Sequence, residues 1–102
     1  MIQLIERHRD TLESLCRRRH VATLEVFGSA AGETLDSNAG DLDFLVRFDP
    51  TEEMTAADQY FGLLFDLQGL FDRDVDLVCA DAMKNRYFIE EVNKSRRLLY
   101  AA

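Results

Sequence analysis

Asp41 and Asp43 sit two residues apart in an otherwise apolar run, Asp41-Leu42-Asp43-Phe44-Leu45-Val46-Arg47-Phe48. On a strand of period two, both carboxylates leave from one face together with Leu45 and Arg47. Leu42, Phe44, Val46 and Phe48 leave from the other. Asp is depleted in strands, and like charges side by side repel. A chain that keeps both there must bury one face of this strand and open the other towards something that offsets the charge. A divalent cation is the simplest candidate, and the rest of the sequence reads as support for such a site.

Upstream, Val21 to Phe27 alternates and is rich in β-formers, which predicts a first strand. Gly28 removes the Cβ where the chain turns sharply, and Ser29 is placed to cap a short helical turn. Residues 34–40 (TLDSNAG) are turn chemistry. The second strand runs from Asp41 to Phe48 and is closed by Pro50, the only proline. Ile5, Leu12, Leu15 and Cys16 predict one amphipathic helix from Ile2 to about Arg19. Its last turn carries Arg17, Arg18 and Arg19, which suit the negative end of the helix dipole as a solvated helix end.

Downstream, Tyr60, Phe61, Leu63, Leu64, Leu67, Leu70 and Phe71 predict a helix over about Ala56 to Phe71. Gly62 and Gly69 weaken it by roughly 1 kcal/mol each relative to Ala, and both are expected to allow close packing on the sheet. Val75 to Cys79 predicts a third strand, with Val75 and Leu77 on one face and Asp74, Asp76 and Val78 on the other. Asn85 to Ser95 predicts a helix with Phe88, Ile89 and Val92 inward, and Leu98 to Tyr100 a short edge strand. Repeats, linkers and low-complexity segments are absent from the sequence. The expected organisation is one α/β domain over residues 1–102, a small mixed sheet with packed helices.

The polar residues impose a topology. Strands two and three are joined by a helix, so they are expected to be parallel neighbours. Parallel pairing brings Asp41, Asp43 and Asp76 to one end of the sheet. Gly28 and Ser29 lie at the C-terminal end of strand one, so they reach that end only if strand one runs antiparallel to strand two. A purely parallel sheet would break the site.

Charge and composition narrow the function. The chain has 102 residues, a net charge of −7 and a sequence pI near 4.7. That balance argues against electrostatic grip on a polynucleotide and suits a small metal-neutralised nucleotide or a basic protein partner. No apolar run approaches the roughly 18 residues that span a bilayer. The N-terminal stretch is charged throughout, unlike a signal peptide, so the expected compartment is the cytoplasm with no membrane contact. Cys16 and Cys79 fit no metal spacing and are expected as buried thiols.

Three carboxylates within a few ångströms cannot all stay ionised without a cation. Oxygen donors without His or Cys favour Mg²⁺, with Mn²⁺ as the alternative, over zinc. Two such ions could clamp the attacking and leaving oxygens of a displacement at phosphorus. A glycine turn ahead of a helix N-terminus offers N–H groups to an anion, and Ser29 adds a hydroxyl. With no Walker A lysine motif, attack at an α-phosphate with pyrophosphate leaving is the reaction expected. Asp76 would help to deprotonate the incoming hydroxyl. Asp74 competes with Asp76, which has the apolar flanks.

Val26-Phe27-Gly28-Ser29, with Asp41-Leu42-Asp43-Phe44-Leu45-Val46 and Asp74-Val75-Asp76-Leu77-Val78, resembles the minimal nucleotidyltransferases of the DNA polymerase β superfamily. The likeness extends to Asn85, Tyr87-Phe88 and the tail Leu98-Leu99-Tyr100-Ala101-Ala102. It implies the nucleotidyltransferase fold, with Gly28 and Ser29 binding the triphosphate and Asp41, Asp43 and Asp76 holding two Mg²⁺ ions. It also implies a role as the antitoxin of a HEPN/MNT toxin–antitoxin pair of the type VII kind, transferring AMP from ATP to a tyrosine of the HEPN ribonuclease. Small size agrees, because nothing is left over to build a second domain for an acceptor. The alternatives are an antitoxin that works by contact alone, a nucleotidyltransferase for a small molecule such as an aminoglycoside, and aspartates that merely decorate a sheet end.

Overall fold

The computed structural model describes residues 2–28 and 41–102. Its elements are α1 (Ile2–Arg7), α2 (Arg9–Arg18), β1 (Val21–Phe27), β2 (Leu42–Phe48), α3 (Ala56–Phe71), β3 (Val75–Cys79), α4 (Arg86–Ser95) and β4 (Arg97–Ala101), with a 3₁₀ turn at Ala80–Ala82 between β3 and α4. The predicted helix over Ile2 to Arg19 is divided at His8. Its ring packs edge-on against Phe71 of α3, with centroids 5.7 Å apart. Neither glycine nor proline marks that break; the His8 N–H donates to the Ile5 carbonyl at 3.1 Å in a tightened turn.

The four strands form one mixed sheet in the order β3-β2-β1-β4. β1 pairs antiparallel with β2, and β2 parallel with β3. This is the arrangement that the placement of the aspartates and Gly28 demands. β4, expected as a short edge strand, pairs antiparallel with β1 at the far side.

Each sheet face has its own core. Leu24, Val26, Leu42, Phe44, Val46, Val75 and Leu77 join Ile5, Leu12, Cys16, Leu63, Leu67 and Phe71 in the larger cluster, which packs α1, α2 and α3 on one face. Phe44 stacks on Phe71 at 5.9 Å. Each fully buried Leu or Val there contributes about 1.5–3 kcal/mol. On the opposite face, Phe27, Leu45 and Val92 make a smaller cluster under α4. Of the three α4 residues expected inward, Val92 is buried, Ile89 is partly covered and Phe88 remains 38% exposed. One ten-residue helix covers only part of this face.

Local chemistry delimits the helices. Thr55 caps α3, its hydroxyl accepting from the Asp58 N–H at 3.1 Å. Asn85 caps α4, its side-chain oxygen accepting from the N–H groups of Tyr87 and Phe88. Both caps satisfy donors that a helix start leaves without partners. The glycines of α3 do not pack on the sheet. Gly62 lies under the guanidinium of Arg19, where a Cβ would collide, and Gly69 faces open space. Arg19 therefore is not a solvated helix end: its Nε donates to Asp66 at 3.2 Å and ties α2 to α3. Cys16 is buried and Cys79 partly so, and both are free thiols. Among the described residues no helix is long and apolar enough to cross a membrane.

Candidate active site

Asp43 and Asp76 are register partners across the parallel β2–β3 pair, so their side chains leave the sheet from the same face. The pairing begins where the Leu42 N–H donates to the Asp74 carbonyl at 3.1 Å. Asp74 itself precedes the first residue of β3 and is exposed, and Asp76 is the carboxylate opposite Asp43. Burial, then the charge of Asp76, a side-chain hydrogen bond to Asp76 and the charge of Asp41 push the Asp43 carboxyl up to about 6. Two like groups in one half-covered corner cannot both ionise freely, and Asp43, the more buried, carries the effect.

Asp41 lies one residue before β2 and is exposed, close enough for its charge to act on Asp43. Among the described residues no three His, Cys, Asp or Glu side chains converge as a ready-made metal cage. What is in place is a pair of carboxylates with a third nearby. Hard oxygen donors of this kind suit Mg²⁺, which usually takes one or two carboxylates and completes its shell with water and substrate phosphates.

Gly28 completes the corner from the other side. The antiparallel register sets Phe27 opposite Asp43, so the next residue turns across that carboxylate. Gly28 has φ of 68°, and a Cβ built on it would lie 2.8 Å from Asp43 Oδ2. Its own N–H donates to Ser95 Oγ of α4 at 2.8 Å. The glycine thus serves here by leaving room for Asp43, while α4 takes its donor. Ser29 and the turn residues 34–40, to which the sequence assigns phosphate binding and the excursion between strands, lie outside the described residues.

A pocket of about 440 Å³ opens beside the aspartates, and Phe27, Asp43, Tyr60, Leu64, Asp76 and Phe88 contribute to its wall. Phe88 meets Phe27 edge-on at 6.0 Å. Tyr60 reaches from α3 and donates its hydroxyl to the Leu77 carbonyl at 2.6 Å. Burial first, then the charges of Cys79 and Asp76, raises the Tyr60 phenol above its ordinary value. Tyr60, Phe88 and Ser95 are members of this corner to which the sequence assigned no part in the site. Tyr60 and Phe88 lay inside apolar helical stripes that read as core. Ser95 carried no signal beyond its place at a helix end.

A mixed sheet that sets two strand-borne carboxylates against a glycine turn, with helices packed on it, is the architecture of nucleotidyltransferases. The nucleotidyltransferase domain model matches residues 8–99, and the chain belongs to that family. Comparison with curated protein sequences finds no match. Among solved structures, the chain is similar to a protein described as a minimal nucleotidyltransferase, with a TM-score of 0.71, 28% identity and coverage of 93% of this chain and 92% of that one. It also shares its fold with a chain of a toxin–antitoxin structure containing AMP-PNP, at TM-score 0.67, 22% identity and coverage of 92% and 73%. A third neighbour belongs to a complex of a tri-AMPylated Shewanella oneidensis HEPN toxin with its MNT antitoxin, at TM-score 0.64, 19% identity and coverage of 95% and 72%.

Proposed function

We propose that this chain is a Mg²⁺-dependent protein adenylyltransferase and the antitoxin of a HEPN-domain toxin, transferring AMP from ATP to a tyrosine hydroxyl of that partner. The observation that carries the proposal is the facing pair Asp43 and Asp76, with Gly28 pressed against Asp43. A carboxyl pushed up to about 6 by burial and then by a neighbouring carboxylate is a group that a cation would relieve. Asp43 and Asp76, with Asp41 beside them, would hold the metal. When bound, Mg²⁺ supplies charge neutralisation at the α-phosphate and on the departing pyrophosphate.

The residues of the chain supply the rest. The tyrosine oxygen attacks the α-phosphorus, the bond from that phosphorus to the bridging oxygen breaks, and pyrophosphate leaves with the electron pair. Asp76, the more exposed carboxylate of the pair, takes the hydroxyl proton on a side-chain oxygen. Ser29 and the turn after Gly28 would meet the triphosphate, and the aromatic wall of the pocket would exclude water. The solved toxin–antitoxin complexes with this fold, one with AMP-PNP and one with an AMPylated toxin, support the choice of nucleotide and acceptor.

The test is the intact mass of the HEPN-domain partner after incubation with this chain, Mg²⁺ and each nucleoside triphosphate. Addition of AMP from ATP is expected, together with loss of ribonuclease activity. In Asp41→Asn/Asp43→Asn the mass addition and the neutralisation should vanish together. Neutralisation that survives without any mass change would instead identify inhibition by contact.

A further inference from the structure

The charge of the chain is concentrated in one segment. Residues 49–81, which hold α3 and β3, contain nine acidic residues and one basic residue, a charge of −8. The remainder, with ten acidic and eleven basic residues, is nearly neutral. α3 itself has two aspartates and no lysine or arginine. Asp66 is engaged by Arg19, while Asp58 at the start of the helix is exposed.

The same helix shows two large aromatic rings to solvent. Phe61 is 52% and Phe65 64% exposed, and their spacing of four places them on one stripe. Their centroids lie 6.5 Å apart, and Phe61 meets Tyr60 edge-on at 5.1 Å. Helical geometry sets this stripe one residue round from Tyr60 and Leu64, which line the pocket beside Asp43 and Asp76. The opposite flank of α3 is occupied by Arg19 from α2. β3 is an edge strand. The aromatic stripe therefore lies on the outward face of α3, between the flank that borders the pocket and the flank that meets Arg19. The two rings together still show on the order of 200 Å² of apolar surface.

We propose that the α3–β3 flank, centred on Phe61 and Phe65, is the surface on which the acceptor protein docks, and that the docking patch of the acceptor is aliphatic or aromatic and rimmed by lysine and arginine. Exposed aromatic rings beside a functional pocket mark contact surfaces, and the acidic surroundings select a basic rim. A second copy of this chain is the wrong occupant, because two flanks of the same negative charge repel. The inference rests on the proposed function in one respect, that the acceptor is another protein.

The experiment compares wild type, Phe61→Ala/Phe65→Ala and Phe65→Lys in binding to the proposed HEPN-domain partner by titration calorimetry at low and high salt. Thermal stabilisation by Mg²⁺-ATP is measured in parallel, because it reports the nucleotide site and correct folding without the partner. The double variant should bind on the order of 30-fold more weakly or worse while keeping its Mg²⁺-ATP stabilisation. Phe65→Lys should weaken binding through the added like charge, and wild-type affinity should fall with salt. Partner affinity unchanged by the double variant, or absent in wild type, overturns the docking surface, as does a wild-type homodimer that the double variant dissolves. Binding that depends on Phe61 and Phe65 without AMP transfer would sustain the docking surface and reject the transferase reading.

Discussion

In Asp43→Asn the side chain keeps its shape and loses its charge. At neutral pH the wild-type carboxyl is ionised in both the folded and the unfolded chain, and folding sets it beside Asp76. The folded carboxyl is pushed up to about 6, against an ordinary value of about 4, and a gap of that size corresponds to about 3 kcal/mol. Asp43 is only half-buried, so solvent screening reduces the destabilisation to about 1 kcal/mol. The sign follows from proton binding: between about pH 4 and 6 the folded state holds the proton more tightly, so wild-type stability is lost as pH rises through that window. Asn carries no such loss, and its amide can donate to Asp76. The variant should therefore melt higher than wild type at pH 7.5 by several degrees, about 4–8 °C per kcal/mol for a domain near this size. The advantage should shrink towards pH 4, where the folded Asp43 carboxyl holds its proton. Mg²⁺-ATP should raise the melting temperature of wild type and not of the variant, and transfer should fall by at least about 100-fold. Thermal unfolding followed by circular dichroism from pH 4 to 8, with and without Mg²⁺-ATP, provides the readout. A variant less stable than wild type at pH 7.5, or equally favoured at pH 4 and 7.5, would refute the electrostatic reasoning.

Further substitutions probe the supports of the site. Gly28→Ala places a Cβ at positive φ and against Asp43 Oδ2; a loss of about 1–2 kcal/mol and a marked fall in transfer should appear in denaturant melts and in the mass assay. Ser95→Ala leaves the Gly28 N–H without its acceptor and should cost about 1 kcal/mol, whereas Ser95→Thr should recover most of it by retaining the hydroxyl. Tyr60→Phe removes the bond to the Leu77 carbonyl, so about 1 kcal/mol of stability should go, with faster hydrogen exchange in β3 than in β1. Leu67→Ala opens a cavity in the larger core, where Leu67 is fully buried, and should destabilise by about 2–5 kcal/mol in urea unfolding.

The strands and α3 were legible because their signals are local. Alternation in Val21–Phe27 and Leu42–Phe48, and the apolar stripe of Ala56–Phe71, survive folding with their predicted bounds nearly unchanged. Even the antiparallel setting of β1 followed from the chemistry, since Gly28 and Asp43 meet in no other way. Harder to read were residues whose role depends on a distant partner. Arg19 looked like the end of a helix until Gly62, forty-odd places on, made room for its guanidinium. His8 lies where the first helix divides, and its ring packs on Phe71 of α3. Phe88 had the spacing of a core residue, yet in the first turn of α4 it stays part-exposed and borders the pocket instead.

By itself the sequence determined which groups could do chemistry here: an aspartate on one strand with another just ahead of it, a third on a later strand, and a glycine after the first strand. Residue type and period are local properties, and they survive any packing. The tertiary structure decided how those groups meet. Register brought Asp43 opposite Asp76, and burial together with that neighbour raised its proton affinity; Ser95 from α4 took the Gly28 N–H, leaving the glycine to make room; and α3 left Phe61 and Phe65 exposed. Each of these depends on distances between residues far apart in the chain, which packing sets and local pattern does not encode.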